Sequence, residues 1–137
     1  MKQDSQSTNR REFIRNTAIM TTSLLVVSPS IVGRPGYTAP SDKLTLASIG
    51  VGGRGAYDLG GCDSENIAAL CDVDDERAAK SYNKYEKAKK YKDFRIMLDQ
   101  HPELDAIIVS TPDHIHAVAA MNAIQRGKHV YVEKPLA

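Results

Sequence analysis

Short apolar runs recur along the chain from residue 44 onward, with mixed polar stretches between them. The clearest runs are Leu44–Ile49, Asn66–Leu70, Asp105–Ser110 and His129–Val132. They are continuous and do not alternate with polar residues, which is typical of strands buried in a parallel sheet. A further strand must be brief, because only Tyr91 and its neighbours remain for it.

Helices are predicted between these strands, over Arg54–Leu59, from Asp74 through Tyr82, behind Asp93 up to Pro102, and over Ala117–Gln125. The apolar residues of the last helix fall on one stripe, as in a helix that packs one face on a core: Ala117, Val118, Met121 and Ile124. Thr111–His116 (TPDHIH) is expected to interrupt the chain before that helix. Strands alternating with helices predict an α/β fold, a Rossmann-type parallel sheet with helices on both faces.

A glycine-rich turn joins the first strand to the first helix, in the spacing Gly50-x-Gly52-x-x-Gly55. Gly50 permits the sharp turn, Gly52 lets a pyrophosphate approach the backbone, and Gly55 allows close helix–strand packing. Gly53 and Arg54 lie inside this turn and are candidate contacts of the same ligand. The helix N-terminus that follows offers N–H groups to phosphates.

An acidic residue follows the second predicted strand at the distance that a dinucleotide site requires. Asp72 lies 22 residues after Gly50, near the roughly 20 typical of the acid that binds the ribose hydroxyls. Strand, glycines, helix, strand and acid in this order favour a dinucleotide fold over an ordinary strand-to-helix turn. Asp72 would repel a 2′-phosphate, so NAD is the expected cofactor and NADP the alternative.

Composition narrows the function classes further. The 137 residues carry a net charge of +1, of which residues 1–40 contribute +3 and the remainder −2. A slightly acidic folded part argues against nucleic acid as a partner. Cys62 and Cys71 suggest neither a disulfide framework nor a metal site, and are expected to be packed or partly buried thiols. The pair His114 and His116 lacks a companion Cys or His cluster, so no metal site is predicted.

Residues 1–40 are predicted to be an export signal and linker, and the nucleotide-binding domain is predicted to span 41–137. Asn9–Arg15 (NRREFIR) resembles the twin-arginine motif, and the apolar stretch Thr17–Val27 suits a signal peptide. That stretch has 11 residues, too short for a stable membrane span, which takes about 20. Ser28–Pro40 contains three prolines and is typical of a linker. A periplasmic location follows; the alternative is a disordered basic tail or a surface helix.

Three motifs together carry a family resemblance: the glycine turn, TPDHIH after the fourth strand, and Glu133-Lys134-Pro135 after the fifth. Over Lys43–Ala137 the chain resembles the nucleotide-binding half of the Gfo/Idh/MocA family of glucose–fructose oxidoreductases and inositol dehydrogenases. The EKP motif at the end of a strand, within the string GKHVYVEKPLA, is the most specific part of that resemblance.

The resemblance implies roles for residues at the ends of the fourth and fifth strands. Lys134 is implied to be the catalytic residue, beside the nicotinamide and a sugar or cyclitol substrate. Thr111, Pro112 and His116 are implied to build the wall of the cofactor pocket, and Glu133 to be a further cofactor-site residue. The function expected from these roles is hydride transfer between NAD and a sugar or cyclitol hydroxyl.

Two other functions stay open. Some relatives in this family are glycoside hydrolases that use bound NAD for transient oxidation. The third possible function is that of a non-catalytic nucleotide-binding fragment. Family members continue into a last Rossmann strand and a C-terminal α/β domain that binds substrate and supports oligomers. This chain is therefore expected to be truncated and inactive alone, with an unpaired sheet edge and an uncovered apolar face.

Overall fold

The predicted strands form one parallel sheet. A computed structural model describes residues 42–136, in which the strands are β1 Thr45–Ile49, β2 Asn66–Cys71, β3 Lys89–Tyr91, β4 Ala106–Val109 and β5 His129–Val132. Their order across the sheet is β3-β2-β1-β4-β5, and every neighbouring pair is parallel. The predicted Rossmann-type sheet is confirmed, including the brief strand at Tyr91.

Four helices connect these strands: α1 Arg54–Gly60, α2 Asp75–Lys84, α3 Phe94–Gln100 and α4 Asp113–Gln125. They cover both faces of the sheet. Leu59 of α1 and Tyr82 of α2 pack in one core cluster, whereas Met97 of α3 and Ala119 of α4 pack in the other. The two clusters use opposite sides of the same strands, as expected for buried parallel strands.

The helix boundaries follow from local chemistry. Asp74 caps α2 by accepting hydrogen bonds from the N–H groups of Glu76 and Arg77, and Asp93 caps α3 through Arg95. The cap at Asp74 agrees with the helix start predicted there, whereas the sequence analysis placed a helix behind Asp93 without assigning that residue as a cap. Gly127, with φ +73°, follows the end of α4 and donates its N–H to Ile124, as expected of a C-terminal glycine.

The prediction for α4 was wrong in two respects. The helix begins at Asp113, four residues before Ala117, because Pro112 suits the position before a first turn and Asp113 complements the helix dipole there. The stripe predicted to face the core is instead about half exposed at Val118, Met121 and Ile124. The buried face consists of His116, Ala119, Ala120 and Ala123, whose small alanines bring the helix close to the sheet.

One edge and part of one face of the sheet stay open within the described residues. β5 pairs there only with β4. A groove of about 400 Å³ runs along the sheet, and its lining includes Leu44 and Tyr131, each about half exposed. The expected open edge and apolar face are therefore both present in the described part of the chain.

The predicted export signal and linker, residues 1–40, lie outside the described residues. In residues 42–136, no helix has the length and apolar character needed to cross a membrane.

Candidate functional site: a dinucleotide cavity at the carboxyl ends of the strands

A cavity of about 770 Å³ lies at the carboxyl ends of β1, β2 and β4. Parallel strands end at the same edge, so the segments that follow them meet there. The cavity lining contains six of the residues predicted from sequence: Gly50, Gly52, Arg54, Asp72, Thr111 and Pro112. Gly53, Gly55, His116, Glu133 and Lys134 are not part of that lining, although several of them contact residues that are.

The glycine turn is packed so tightly that side chains cannot be accommodated at two of its positions. Gly50 has φ +78°, and a Cβ there would lie 2.6 Å from the carbonyl oxygen of Ser110. A Cβ at Gly55 would lie 1.9 Å from the carbonyl oxygen of Gly50. The turn and the close helix packing predicted for these two glycines are therefore present.

Gly52 is constrained by a neighbour that the spacing rule did not identify. A Cβ at Gly52 would lie 3.0 Å from the Cβ of Arg77, in the first turns of α2. The Arg77 guanidinium lies near Gly53, with Nη2 3.8 Å from where a Cβ of that glycine would be. Both observations place α2 and its arginine beside the glycine turn.

Asp72 holds the glycine turn against the end of β2. Its Oδ2 accepts hydrogen bonds from the N–H groups of Val51 (2.8 Å) and Gly52 (3.2 Å), and its Oδ1 accepts one from Asp74 (3.0 Å). A carboxylate oxygen can accept two bonds, so Oδ1 keeps one acceptor position that no described residue occupies. The position fits the predicted ribose-binding role and adds a structural role.

Two loop N–H groups remain for an anion. Those of Gly53 and Arg54 have no acceptor within the described residues, whereas the preceding two are donated to Asp72. Both residues are exposed, so these two N–H groups are open to a bound anion. The hydroxyls of Thr111 and Ser48 have no partner within the described residues, but both oxygens are buried and out of reach of a ligand in the cavity.

Three of the cations that line the cavity differ in whether a carboxylate pairs with them. Lys92 pairs with Asp75 at 2.6 Å, and Arg95 pairs with Asp93 at 2.6 Å. The hydrogen bonds from Arg95 lower the pKa of the Asp93 carboxyl to about 2. Arg77 has no carboxylate partner among the described residues, so its charge is available to a ligand.

Arg54 connects the glycine turn to the EKP motif. Its Nε lies 3.0 Å from Asp58 Oδ1, and its Nη2 donates to Glu133 Oε1 at 3.0 Å. This bond lowers the pKa of the Glu133 carboxyl and raises the pKa of the guanidinium. Ser110 completes the network by donating to Asp58 Oδ2 at 2.8 Å, and Tyr131 donates to Glu133 at 3.1 Å.

His116 holds the two strand ends together. The ring is 1% exposed, with Nδ1 2.7 Å from the carbonyl oxygen of Pro135 and Nε2 2.8 Å from that of Thr111. The side chain lies behind the cavity wall, and it fixes residues of that wall. Both ring nitrogens lie within hydrogen-bond distance of a carbonyl oxygen, and a neutral ring donates to one of the two at a time.

Lys134 is exposed, between Glu133 and Pro135, with no ion pair among the described residues. Its backbone follows β5, where the N–H of Glu133 donates to Val109 at the end of β4. The ammonium group is thus carried on the turn that flanks the cavity-forming strand end.

The other candidate chemistry is accounted for by packing. Cys71 is buried and Cys62 is half-buried, as expected, and both are free thiols. Burial raises the pKa of the Cys71 thiol to about 12, which removes it as a nucleophile near neutral pH. Residues 42–136 contain no cluster of three His, Cys, Asp or Glu side chains arranged to hold a metal ion.

Sequence reasoning did not find Asp58 or Ser110, which complete the Arg54 network. The four-residue spacing of Arg54 and Asp58 on one helix is a signal for such a pair. Ser110 carried no signal, because its partner lies 52 residues away in sequence.

Comparisons with known proteins identify the family. Residues 44–137 match the profile of the GFO_IDH_MocA oxidoreductase family with an NAD-binding Rossmann fold. A glycosyl hydrolase family 109 protein from Shewanella pealeana is 31% identical over 94% of this chain and 34% of its own length. An inositol 2-dehydrogenase from Salmonella typhimurium is 32% identical over 52% of this chain and 21% of its own.

Solved structures show the same fold. The myo-inositol dehydrogenase from Lactobacillus casei, in complex with NAD(H) and myo-inositol, has a TM-score of 0.63 and 27% identity. The match covers 69% of this chain and 29% of that one. The chain thus spans about a third of the length of the relatives it matches. Profile, fold and cavity agree that the chain belongs to the Gfo/Idh/MocA oxidoreductase family, as its NAD-binding Rossmann domain.

Proposed function

We propose that this domain serves an enzyme that transfers hydride between NAD and a hydroxyl of a sugar or cyclitol. The observation that carries the proposal is the cavity itself, which joins the glycine turn, Asp72 and Thr111 at one sheet edge beside the EKP motif. Inositol dehydrogenases among the relatives and solved structures support the cyclitol class.

The residues present fit a bound dinucleotide. The free N–H groups of Gly53 and Arg54 suit the phosphates, and the spare acceptor of Asp72 Oδ1 suits a ribose hydroxyl. Thr111 and Pro112 line the cavity at the end of β4. When bound, the nicotinamide supplies the hydride acceptor or donor.

Lys134 is the residue proposed to act on substrate. An exposed ammonium on a turn next to the cavity can donate hydrogen bonds to a substrate hydroxyl and orient it. Pro112 lines the cavity. His116 contributes indirectly, because its ring contacts the carbonyl oxygen of Thr111.

NAD is proposed to bind more tightly than NADP. A 2′-phosphate would lie close to the Asp72 carboxylate, and burying two negative charges together is unfavourable. Arg77 is the opposing influence, since it has no carboxylate partner in the described residues and could pair with that phosphate.

Titration of the chain with both cofactors, followed by calorimetry or fluorescence, tests this preference. We expect a lower dissociation constant for NAD, and Arg77→Ala is expected to weaken NADP more than NAD. Tighter binding of NADP by the unaltered chain contradicts the proposal. The matched control is Arg126→Ala, because Arg126 pairs with Asp99 on the distant ends of α3 and α4.

A glycoside hydrolase that recycles NAD is the second candidate function, favoured by the family 109 relatives. The two candidates differ in product. A protein that extends this chain into its substrate-binding part forms NADH in proportion to substrate if it is a dehydrogenase. It releases free sugar with no net NADH if it is a hydrolase.

We further propose export to the periplasm by the twin-arginine route, supported by Arg10 and Arg11 followed by Phe13 and the apolar stretch Thr17–Val27. Replacing Arg10 and Arg11 with lysine keeps the charge but removes the arginine pair. We expect the tagged double variant to stay inside the cell on fractionation, while Arg34→Lys, in the linker, has no effect. Arrival of the double variant in the envelope contradicts the proposal.

A further inference from the structure

The turn that carries Lys134 is held on both sides, while Lys134 itself is free. The residue before it, Glu133, is 15% exposed at its side chain and bonded to Arg54 and Tyr131. The residue after it, Pro135, gives its carbonyl oxygen to the buried ring of His116. The two contacts fix the backbone on either side of an unpaired ammonium group.

The Arg54 contact differs from the His116 contact in what it joins. His116 connects the turn to the end of β4, which is already the strand next to β5. Arg54 belongs to the glycine turn, so its bond to Glu133 crosses 79 residues of sequence. It joins the segment that meets the cofactor phosphates to the segment that meets the substrate.

Arg54 is itself held in place by the rest of the network. Its Nε pairs with Asp58, whose side chain is only 5% exposed, and Asp58 in turn accepts from Ser110 at the end of β4. The guanidinium also lies 4.9 Å from the centre of the Tyr57 ring. A planar group with two fixed carboxylate partners has little freedom to leave Glu133, even though its own side chain is 60% exposed.

We propose that Arg54 is a positioning residue, which ties the Glu133–Pro135 turn to the glycine turn and so links occupation of the phosphate site to the placement of Lys134. The inference rests on the proposed function, in which Lys134 orients the substrate. The N–H of Arg54 is one of the two free loop donors, so a phosphate bound there contacts the same residue whose side chain holds Glu133.

Amide hydrogen exchange on the 137-residue chain tests the tie without cofactor. Arg54→Gln removes the charge, and we expect exchange in the segment 133–136, where the Glu133 amide bonded to Val109 is the protected one, to rise about two- to fivefold, the range of a partly exposed ion pair. Arg126→Gln, which removes the ion pair between Arg126 and Asp99 far from this turn, is expected to leave this segment unchanged. Wild-type protection in Arg54→Gln overturns the proposal.

A conservative variant separates positioning from a general loss of stability. Arg54→Lys keeps a positive charge beside both Asp58 and Glu133, and we expect it to recover much of the protection that Arg54→Gln loses. Protection in Arg54→Lys no better than in Arg54→Gln overturns the proposal, because an ion-pair tie should be restored in part by any cation at this position.

The same measurement with NAD added tests the link to the cofactor. In the unaltered chain NAD should protect both residues 50–55 and the segment 133–136, whereas in Arg54→Gln it should protect the first and not the second. Equal protection of both segments in Arg54→Gln overturns the link. If NAD protects the glycine turn in no variant, the proposed function is contradicted, and so is the coupling between the phosphate site and Lys134. The exchange measured without cofactor still decides whether Arg54 holds the Glu133–Pro135 turn in place.

Discussion

Asp72 shows how one side chain serves both the fold and the ligand. The spacing from Gly50 predicts that it binds a ribose. In the structure its carboxylate also accepts hydrogen bonds from the backbone N–H groups of Val51, Gly52 and Asp74. The sequence singled out the residue because its place after the second strand follows from topology, and its ribose role stays a prediction. It could not identify the bonds to the glycine turn, because they depend on which carboxylate oxygen faces which loop.

Replacing Asp72 by alanine should therefore affect two measurements at once. The three N–H groups lose their acceptor, which lowers the melting temperature, and the ribose loses its partner. Hydrogen bonds to a charged group contribute about 1.5–3 kcal/mol each, so NAD affinity should fall by about ten- to a hundredfold. Thermal melts and NAD titration of the chain measure both effects.

The control for that prediction is Asp63→Ala, which removes a surface carboxylate paired with Lys84, away from the cavity. It should leave NAD affinity unchanged. An Asp72→Ala chain that binds NAD as tightly as the unaltered chain would show that the carboxylate does not reach the ribose.

Among the helices, α4 shows where a periodic pattern misleads. Val118, Met121 and Ile124 have the spacing of a core stripe, yet the face that meets the sheet is built from alanines and His116. A hydrophobicity pattern predicts that the largest apolar side chains are buried. A helix that packs very close to a sheet instead needs small residues on the face that contacts the sheet. The caps of α2 and α3 were predictable, because an N-cap is set by neighbours two or three residues away.

The cap of α3 leads to a pH-dependent prediction. The pKa of Asp93 is lowered to about 2 by Arg95, below its ordinary 3.8, so the stabilisation is present above pH about 4 and is lost as the pH falls toward 2. Asp93→Asn should have a lower melting temperature than the unaltered chain at pH 6, and the difference should shrink by pH 2.

Calorimetric melts over this pH range measure the difference directly. Glu86→Gln, at an exposed position in the turn after α2, is the matched control and should show no comparable trend. A difference for Asp93→Asn that is constant from pH 6 to pH 2 would mean that the charge on Asp93 does not stabilise the cap.

For the molecule as a whole, we expect nucleotide affinity without turnover. The glycine turn, Asp72 and the Arg54 network are all formed within residues 42–136. Hydride transfer also needs a substrate held about 3–3.5 Å from the nicotinamide, and that orientation accounts for roughly 7–11 kcal/mol of barrier reduction. An exposed Lys134 cannot supply it alone, since one side chain defines no substrate cavity.

Residues 41–137 should accordingly bind NAD weakly and form no NADH from a panel of sugars and cyclitols, as followed by absorbance at the nicotinamide band. Gly55→Val is the matched control. Its side chain would collide with the Gly50 carbonyl oxygen, so this variant should not bind NAD at all. Substrate-dependent NADH from residues 41–137 would show that the chain holds a complete active site.

The central position of β1 has a consequence for how the chain is made. One side of β1 pairs with β2, about 20 residues downstream, but the other pairs with β4, about 60 residues downstream. At a synthesis rate of about 5–20 residues per second, the second partner leaves the ribosome about 3–12 s after the first strand. During that interval the most buried strand of the sheet exposes a full edge of backbone donors and acceptors. Within residues 42–136, a chaperone that holds nascent extended segments is therefore expected to bind at residues 45–49, before the cofactor site has formed.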